Sequence, residues 1–450
     1  MSNRDFLDIP RLDNSYRPVA ERLADYSEVE THPDVPDLQK QARRCMNCGI
    51  PFCHSMGCPL ENQIPEINQA AAEGRWADAW KILSSTSCFP EFTSRLCPAL
   101  CEGSCVNGID LDPVTIRQIE YMVIEQAFAL NLVVPRPPEV RTGKTVAVIG
   151  SGPAGMVVAE LLNRAGHLVT VFEANLKAGG LMRYGIPDFK LDKGVIERRV
   201  EIMIEEGISF RFGTNVGTDV SLDYLARRFD AVVIATGTPV PRDLKVEGRE
   251  STGVYFALEY LQGRNRLNSG ECVDSSISAE GKRVVVIGGG DTGSDCVGTA
   301  NREHAKSVTQ IEIMPQPPEN RSDSTPWPMW PYQIRTSSSH KEGCVRDWNV
   351  ATKRFASKDG HVTAVEAVRV EWEFTPEGRP LKFRELDEKI VLEADLVLLA
   401  LGFLKPDPVA SEANVFVAGD AATGQSLIVR AMASGRKTAC KVNEYLESAK

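Results

Sequence analysis

Two short β-branched runs, TVAVI (145–149) and RVVVI (283–287), each end in a glycine-rich turn. Each turn leads into a helical segment and then into a second β-branched run, LVTVFEA (168–174) and SVTQIEI (307–313). One strand–glycine–helix–strand unit commits a chain to a nucleotide-type α/β fold. Two of them imply an internal duplication, since each unit needs its own parallel sheet. The fold class expected is therefore α/β, with two Rossmann-like dinucleotide-binding domains.

The first turn reads Gly150-Ser151-Gly152-Pro153-Ala154-Gly155, the GxGxxG pattern. Its glycines allow a tight turn and close approach to a pyrophosphate, whose charge the following helix N-terminus favours. Glu173 ends the next strand, where a carboxylate can accept both ribose hydroxyls. A glycine-rich turn in an unliganded α/β domain is the plainer alternative, and the strand, helix and acid at the right places argue against it.

The second turn reads Gly288-Gly289-Gly290-Asp291-Thr292-Gly293, and Glu312 aligns with Glu173 when the units are overlaid. An acid at the ribose favours NADH, because it would repel a 2′-phosphate. Arg302, Lys306 and Arg321 lie near enough in sequence to serve that phosphate instead, although surface helix charges are usually only solvated. NADH and NADPH are both admitted. Hydride passes directly between a nicotinamide and an acceptor ring, so no catalytic acid or base is nominated.

Eight of the twelve cysteines fall between Cys45 and Cys105. They form two groups, Cys45, Cys48, Cys53 and Cys58-Pro59, then Cys97-Pro98, Cys101 and Cys105, with Cys88 outside the pattern. Dense cysteines without a secretory leader point to metal rather than to disulfides. Short loops with Cys-Pro steps resemble ferredoxin runs, and a redox domain downstream gives iron–sulfur clusters a purpose. Zinc competes, but the second Cys-x2-Cys knuckle of a zinc ribbon is missing. Seven cysteines serve two clusters only if one ligand is something else. Cys88, Cys272, Cys296, Cys344 and Cys440 read as small buried residues.

Around these cysteines, IPEINQAAAEGRWADAWKILSS and VTIRQIEYMVIEQAFAL have helical spacing, with Asp112-Pro113 a plausible cap and first-turn proline for the latter. NLVVPRPPEVRTGK reads as a linker. The expected division is a helical domain over 1–140, a first nucleotide domain over 141–250 and 395–450, and a second over 251–394. The net charge of −10, without a basic run, argues against nucleic-acid or anionic-membrane partners. The first residues lack an apolar leader, and no stretch approaches the roughly 18 apolar residues of a spanning helix, so a cytoplasmic location is expected.

The C-terminal VFVAGDAATGQSLIVRAMASG resembles the segment that closes the FAD site in glutathione-reductase-like flavoproteins. That resemblance places Gly419-Asp420 at the ribityl and phosphate, and Gln425-Ser426-Leu427 at a helix start facing the flavin, where the helix dipole stabilises reduced-flavin charge. Ala235-Thr236-Gly237 matches the turn where the chain leaves the FAD domain. Gly180, Leu181 and Lys190 (in GIPDFKLDK) are counted with the flavin site, a solvent-facing lysine being the alternative for the last.

Taken with RCMNCGIPFCHSMGCP, FPEFTSRLCPALCEGSC and the PWPMWP segment, the chain resembles the glutamate synthase small (β) subunit family over nearly its whole length. The same module is similar to the N-terminal half of dihydropyrimidine dehydrogenase and to the large subunit of NADH-dependent ferredoxin:NADP oxidoreductases. The resemblance implies that Cys45, Cys48, Cys53 and Cys105 hold one 4Fe-4S cluster. Cys58, Cys97 and Cys101 then hold a second, with Glu120 as the non-cysteine ligand. It implies FAD, NADPH or NADH, and a large (α) subunit that makes L-glutamate from L-glutamine and 2-oxoglutarate. Met1-Ser2 offers no N-terminal cysteine nucleophile and no FMN-barrel-sized segment remains, so amidotransferase chemistry is expected on that partner. A ferredoxin- or sulfur-linked oxidoreductase and a non-catalytic cluster assembly protein are the alternative functions. The sequence departs from the family at Ile313-Met314, where many members have paired arginines, and between Phe403 and Asn414, where a strand pair would be missing.

Overall fold

The computed structural model describes residues 4–272, 277–375, 378–404, 406 and 412–448. Met1 and Ser2, and much of the short segment between Phe403 and Asn414, lie outside them.

The N-terminal third is helical: α1 (Val35–Arg43), α2 (Ile64–Ala72), α3 (Trp76–Ser84), α4 (Pro90–Leu96) and α5 (Ile116–Ala129). Asp34 caps α1 by accepting the Asp37 N–H at 2.9 Å. The stretch expected as one helix is two, because Gly74 takes a left-handed φ of +70° between α2 and α3. Asp112 and Pro113 stand before α5 and do not cap it. Their carbonyls instead accept from the Arg44 guanidinium at 2.9 and 2.8 Å. The helices close over Leu38, Ala42, Ile64, Ile67, Ile119, Met122 and Val123.

The first α/β unit runs β1 (Thr145–Ile149), α6 (Pro153–Arg164), β2 (Leu168–Phe172), α7 (Lys193–Glu205), β3 (Ser209–Arg211) and β4 (Ala231–Ile234). The second runs β5 (Val254–Phe256), α8 (Ala257–Asn268), β6 (Arg283–Ile287), α9 (Asp291–Arg302), β7 (Ser307–Glu312) and β8 (Val345–Trp348). Then come the antiparallel strands β9 (Val350–Lys358), β10 (His361–Phe374) and β11 (Pro380–Glu393), followed by β12 (Leu396–Leu399), β13 (Val415–Val417) and α10 (Ile428–Ser448). One parallel sheet has the order β13-β4-β1-β2-β3 and the other β8-β7-β6-β12-β5. Central strands such as β1, β4, β6 and β12 are buried almost throughout, as parallel strands covered on both faces must be.

One boundary moves. The first nucleotide domain was expected to resume at 395, yet β12 pairs with β6 and β5 inside the second sheet. The chain returns to the first sheet only at β13, beside β4. The physical reason is that LVLL is the second unit's own equivalent of AVVI, each lying directly beside the strand that leads into its unit's glycine turn.

Candidate functional site

In the first unit, Gly150 has φ +98°, and a Cβ there would lie 2.6 Å from the Ala235 carbonyl oxygen. Only glycine lets β1 turn so close to the Ala235-Thr236-Gly237 segment. Glu173 is buried. Its Oε2 accepts from the Ser151 N–H at 3.1 Å and from the Ser151 hydroxyl, and its Oε1 accepts from the Asn175 N–H at 2.8 Å. The carboxylate thus fastens the glycine turn at the C-terminal edge of the sheet, the edge at which open α/β sheets take ligands. Gly180 comes against Gly152, and Gly419 against Ala154. Asp420 accepts from the Ser426 hydroxyl, and Gln425 Oε1 from the Phe403 N–H at 3.1 Å. The structure therefore gathers Gly150, Gly152, Ala154, Gly155, Gly180 and Gly419 around one turn, with Leu181, Gly237 and Asp420 next to these contacts in sequence and Gln425-Ser426-Leu427 leading into α10. Lys190 is not a free surface lysine: it reaches the second unit and pairs with Asp295 on α9.

The second unit repeats the arrangement. A Cβ on Gly288 would meet the Ala400 carbonyl oxygen at 2.3 Å, so Ala400-Leu401-Gly402 does for this unit what Ala235-Thr236-Gly237 does for the first. Glu312 Oε2 accepts from the Gly289 N–H at 2.6 Å and Oε1 from the Met314 N–H at 2.9 Å. Gly290, Asp291, Thr292 and Gly293 start α9 at the same edge.

The cations expected near a 2′-phosphate are elsewhere. Arg302 ends α9, its buried guanidinium pairs with Glu342 at 2.7 Å, and it lies over the Phe189 ring. Lys306 precedes β7 and so sits at the opposite edge of the sheet. Arg321 donates to the carbonyls of Thr325, Met329 and Gly103. A long basic side chain near a motif in sequence can point anywhere once the helix between them is formed, and here two of the three are used in packing.

The thiols sort into two sets. Cys45, Cys48, Cys53 and Cys105 line one cavity with Phe52, Ile64, Pro65 and Val106. Cys58, Cys97 and Cys101 lie within electrostatic reach of one another and of Glu120, which lines a neighbouring cavity with Asn62, Ile67 and Leu83. Burial pushes the Cys53 and Cys97 thiols up to about 12 and the Cys58 thiol to about 11. Burial likewise raises the Glu120 carboxyl to about 7, against the Thr93 hydroxyl that donates to it. Asn68 lines both cavities, and its amide interacts with the Cys45 thiol. Among the described residues no three His, Cys, Asp or Glu side chains converge on a single-ion site. Four thiols around one cavity, with the Asn68 amide directed at Cys45, fit a multi-atom iron–sulfur group.

A strap that sequence reading left unplaced joins these regions. In PWPMWP, Trp327 packs on Phe52 with ring centroids 4.7 Å apart, and the Ser104 hydroxyl donates to the Pro328 carbonyl at 2.8 Å. A Cβ on Gly103 would strike the Trp330 ring at 2.9 Å. The strap from 318 to 336 thus runs from the cysteine loops to the second glycine turn. Its repeated Trp-Pro pattern was the available signal.

A doubled dinucleotide fold with two thiol sets packed beside it defines the class: an iron–sulfur pyridine-nucleotide oxidoreductase. Residues 22–132 match the family of dihydropyrimidine dehydrogenase domain II, 4Fe-4S cluster, and residues 144–326 match pyridine nucleotide-disulphide oxidoreductase. The chain is 49% identical to the Mycobacterium tuberculosis (strain H37Rv) glutamate synthase [NADPH] small chain, over 96% of this chain and 93% of that one. It is 41% identical to the Bacillus subtilis (strain 168) counterpart, over 98% and 97%. The chain belongs to the glutamate synthase small-chain family. Among solved structures, Mycobacterium tuberculosis FprA in complex with NADPH shares the fold, with TM-score 0.55 and 18% identity over 68% of this chain and 85% of that one. No described helix is long and apolar enough to cross a membrane.

Proposed function

We propose that this chain is the electron-input subunit of a glutamate synthase. It oxidises NADPH on FAD and passes the electrons through two 4Fe-4S clusters to a large subunit that makes L-glutamate from L-glutamine and 2-oxoglutarate. The observation that carries this reading is the packing of two separate thiol sets against a doubled dinucleotide fold within one chain.

Bound FAD supplies a hydride acceptor that releases single electrons, which clusters can carry. The chain's residues bind and orient. Gly150, Gly152 and Gly155 open the first turn to a pyrophosphate, and the α6 N-terminus favours its charge. Glu173 stands at the ribose position, already held by Ser151 and Asn175. Gly419 brings the backbone against Ala154, so the C-terminal segment closes over the same turn. Gly288, Gly290 and Gly293 with Glu312 receive the nicotinamide dinucleotide in the same manner. Cys45, Cys48, Cys53 and Cys105 would hold one cluster, and Cys58, Cys97, Cys101 and Glu120 the other.

The large-subunit partner is supported by relatives of another size. Glutamate synthase [NADH] of Schizosaccharomyces pombe aligns with 98% of this chain, yet the match is only 22% of that protein. The bacterial relatives are named small chains, which supports a separate large polypeptide here.

The test is anaerobic purification with iron, sulfide and flavin quantified, followed by stopped-flow reduction with NADPH and with NADH. About eight irons and one FAD per chain are expected from two four-iron clusters. Zinc without sulfide, or a flavin spectrum that neither nucleotide bleaches, would sink the proposal.

A further inference from the structure

Several arginines in the interior of this chain are answered by an acid. Arg22 and Arg302 face Glu342, Arg199 faces Glu91, and Arg264 faces Glu303. Two arginines beside the second glycine turn, Arg335 exposed and Arg346 half-buried, make no ion pair among the described residues. The Arg335 guanidinium lies over the Trp330 ring, 3.9 Å from its centroid. That of Arg346 lies over the Trp348 ring at 4.9 Å. Arg346 donates to the Arg335 carbonyl at 3.2 Å and to the Thr336 hydroxyl at 3.5 Å, which ties the strap to β8 and leaves most of both forks unused. Burial lowers both guanidinium pKa values, opposed at Arg335 by the charge of Asp291.

Their position gives this meaning. On β8, Trp348 is in register with Glu312 and Arg346 with Gln310, and Gln310 Nε2 donates to the Gly288 carbonyl at 2.8 Å. Along a strand, alternate residues share a face, so Arg346 and Trp348 lie on one side together. The strap crosses here as well: Tyr332 is near enough to Glu312, and Arg335 to Asp291, for their charges to interact. The Arg335 guanidinium is therefore within electrostatic reach of the first turn of α9, and Arg346 lies on the strand paired with the one that carries the ribose carboxylate. Other cations nearby are engaged or misplaced, with Lys190 on Asp295, Arg302 on Glu342 and Lys306 at the far edge. Ile313 and Met314, immediately after β7, carry no charge.

We propose that Arg335 and Arg346 form the seat of the 2′-phosphate of NADPH and set the preference of this chain for NADPH over NADH. The inference rests on the oxidoreductase reading above. An aromatic ring under each guanidinium holds its fork flat, which suits two-pronged binding of a phosphate. The Glu312 carboxylate is already committed to two backbone N–H groups, and two positive charges outweigh its repulsion of the phosphate.

The experiment measures binding to the purified holoprotein by titration calorimetry, using 2′,5′-ADP, NADP+ and NAD+ as probes. Arg335→Ala and Arg346→Ala should each weaken 2′,5′-ADP and NADP+ about tenfold or more while NAD+ changes less than twofold. Arg346→Lys keeps the charge but loses the fork, and should fall between wild type and alanine, which guards against a folding defect. Equal weakening of NADP+ and NAD+, or no change in either, overturns the proposal. A wild-type protein whose flavin neither nucleotide reduces would overturn the oxidoreductase reading instead, and the binding measurement separates the two failures.

Discussion

Arg199, on α7 of the first α/β unit, places its Nε 2.6 Å from Oε1 of Glu91, on α4 of the helical unit, and both side chains are buried. The guanidinium also lies over the Phe89 ring, 5.3 Å from its centroid. This pair fastens the cysteine-bearing helices to the first sheet. Removing one partner of a buried ion pair leaves the other uncompensated, at about 3–5 kcal/mol. Glu91→Ala should lower the chemical denaturation midpoint accordingly. A paired Glu91→Leu, Arg199→Met replacement should recover most of the loss. If the single variant is as stable as wild type, the pair has no such role.

Gly435 lies where α10 crosses α6, and a Cβ there would sit 2.6 Å from the Ala154 carbonyl oxygen. Ala154 belongs to the first glycine turn, so helix packing and nucleotide site share this contact. Gly435→Ala should cost about 1–3 kcal/mol by overpacking. It should also lower the flavin content of the purified protein. Thermal melting with a flavin assay checks both, and unchanged values in each would contradict the contact.

The two thiol sets predict separable losses of iron. Cys48→Ser and Cys101→Ser should each remove about four irons, because each belongs to one four-iron group. Glu120→Ala should affect the same set as Cys101, since Glu120 lies within electrostatic reach of Cys58, Cys97 and Cys101. Iron analysis and paramagnetic resonance of the reduced protein decide this. A Cys48 and Cys101 double variant that keeps four irons would refute the sorting.

His340 links acidity to the second turn. Its Nε2–H donates to Gln310 Oε1 at 2.7 Å, and its Nδ1 accepts from the Ser337 N–H at 3.2 Å, an arrangement only the neutral ring satisfies. Burial first, then repulsion by Arg346 and Lys190, lowers its pKa from 6.5 to about 4. Between those values the unfolded chain binds the extra proton and the folded chain does not. The stabilisation is therefore complete above pH 6.5 and is lost as pH falls toward 4. Melting temperature should fall across that window, and less steeply in His340→Gln. Parallel curves for the two proteins would rule the link out.

Much of this was legible in the sequence. Both glycine turns, their acids Glu173 and Glu312, the cysteine groups and the order of the motifs depend on local spacing. Strand, turn and helix must follow one another within a few residues, so spacing alone determines them. Tertiary structure decided what spacing cannot encode. Arg302 went to Glu342 and Lys190 to Asp295, because long side chains answer to neighbours brought in from distant segments. LVLL of β12 joined the second sheet, because a short buried run pairs with whichever strand the packing presents. The Trp-Pro strap acquired a place only when Gly103, Phe52 and the second turn were near each other. The same packing laid Arg335 over Trp330 and Arg346 over Trp348, and no local pattern marks such a placement.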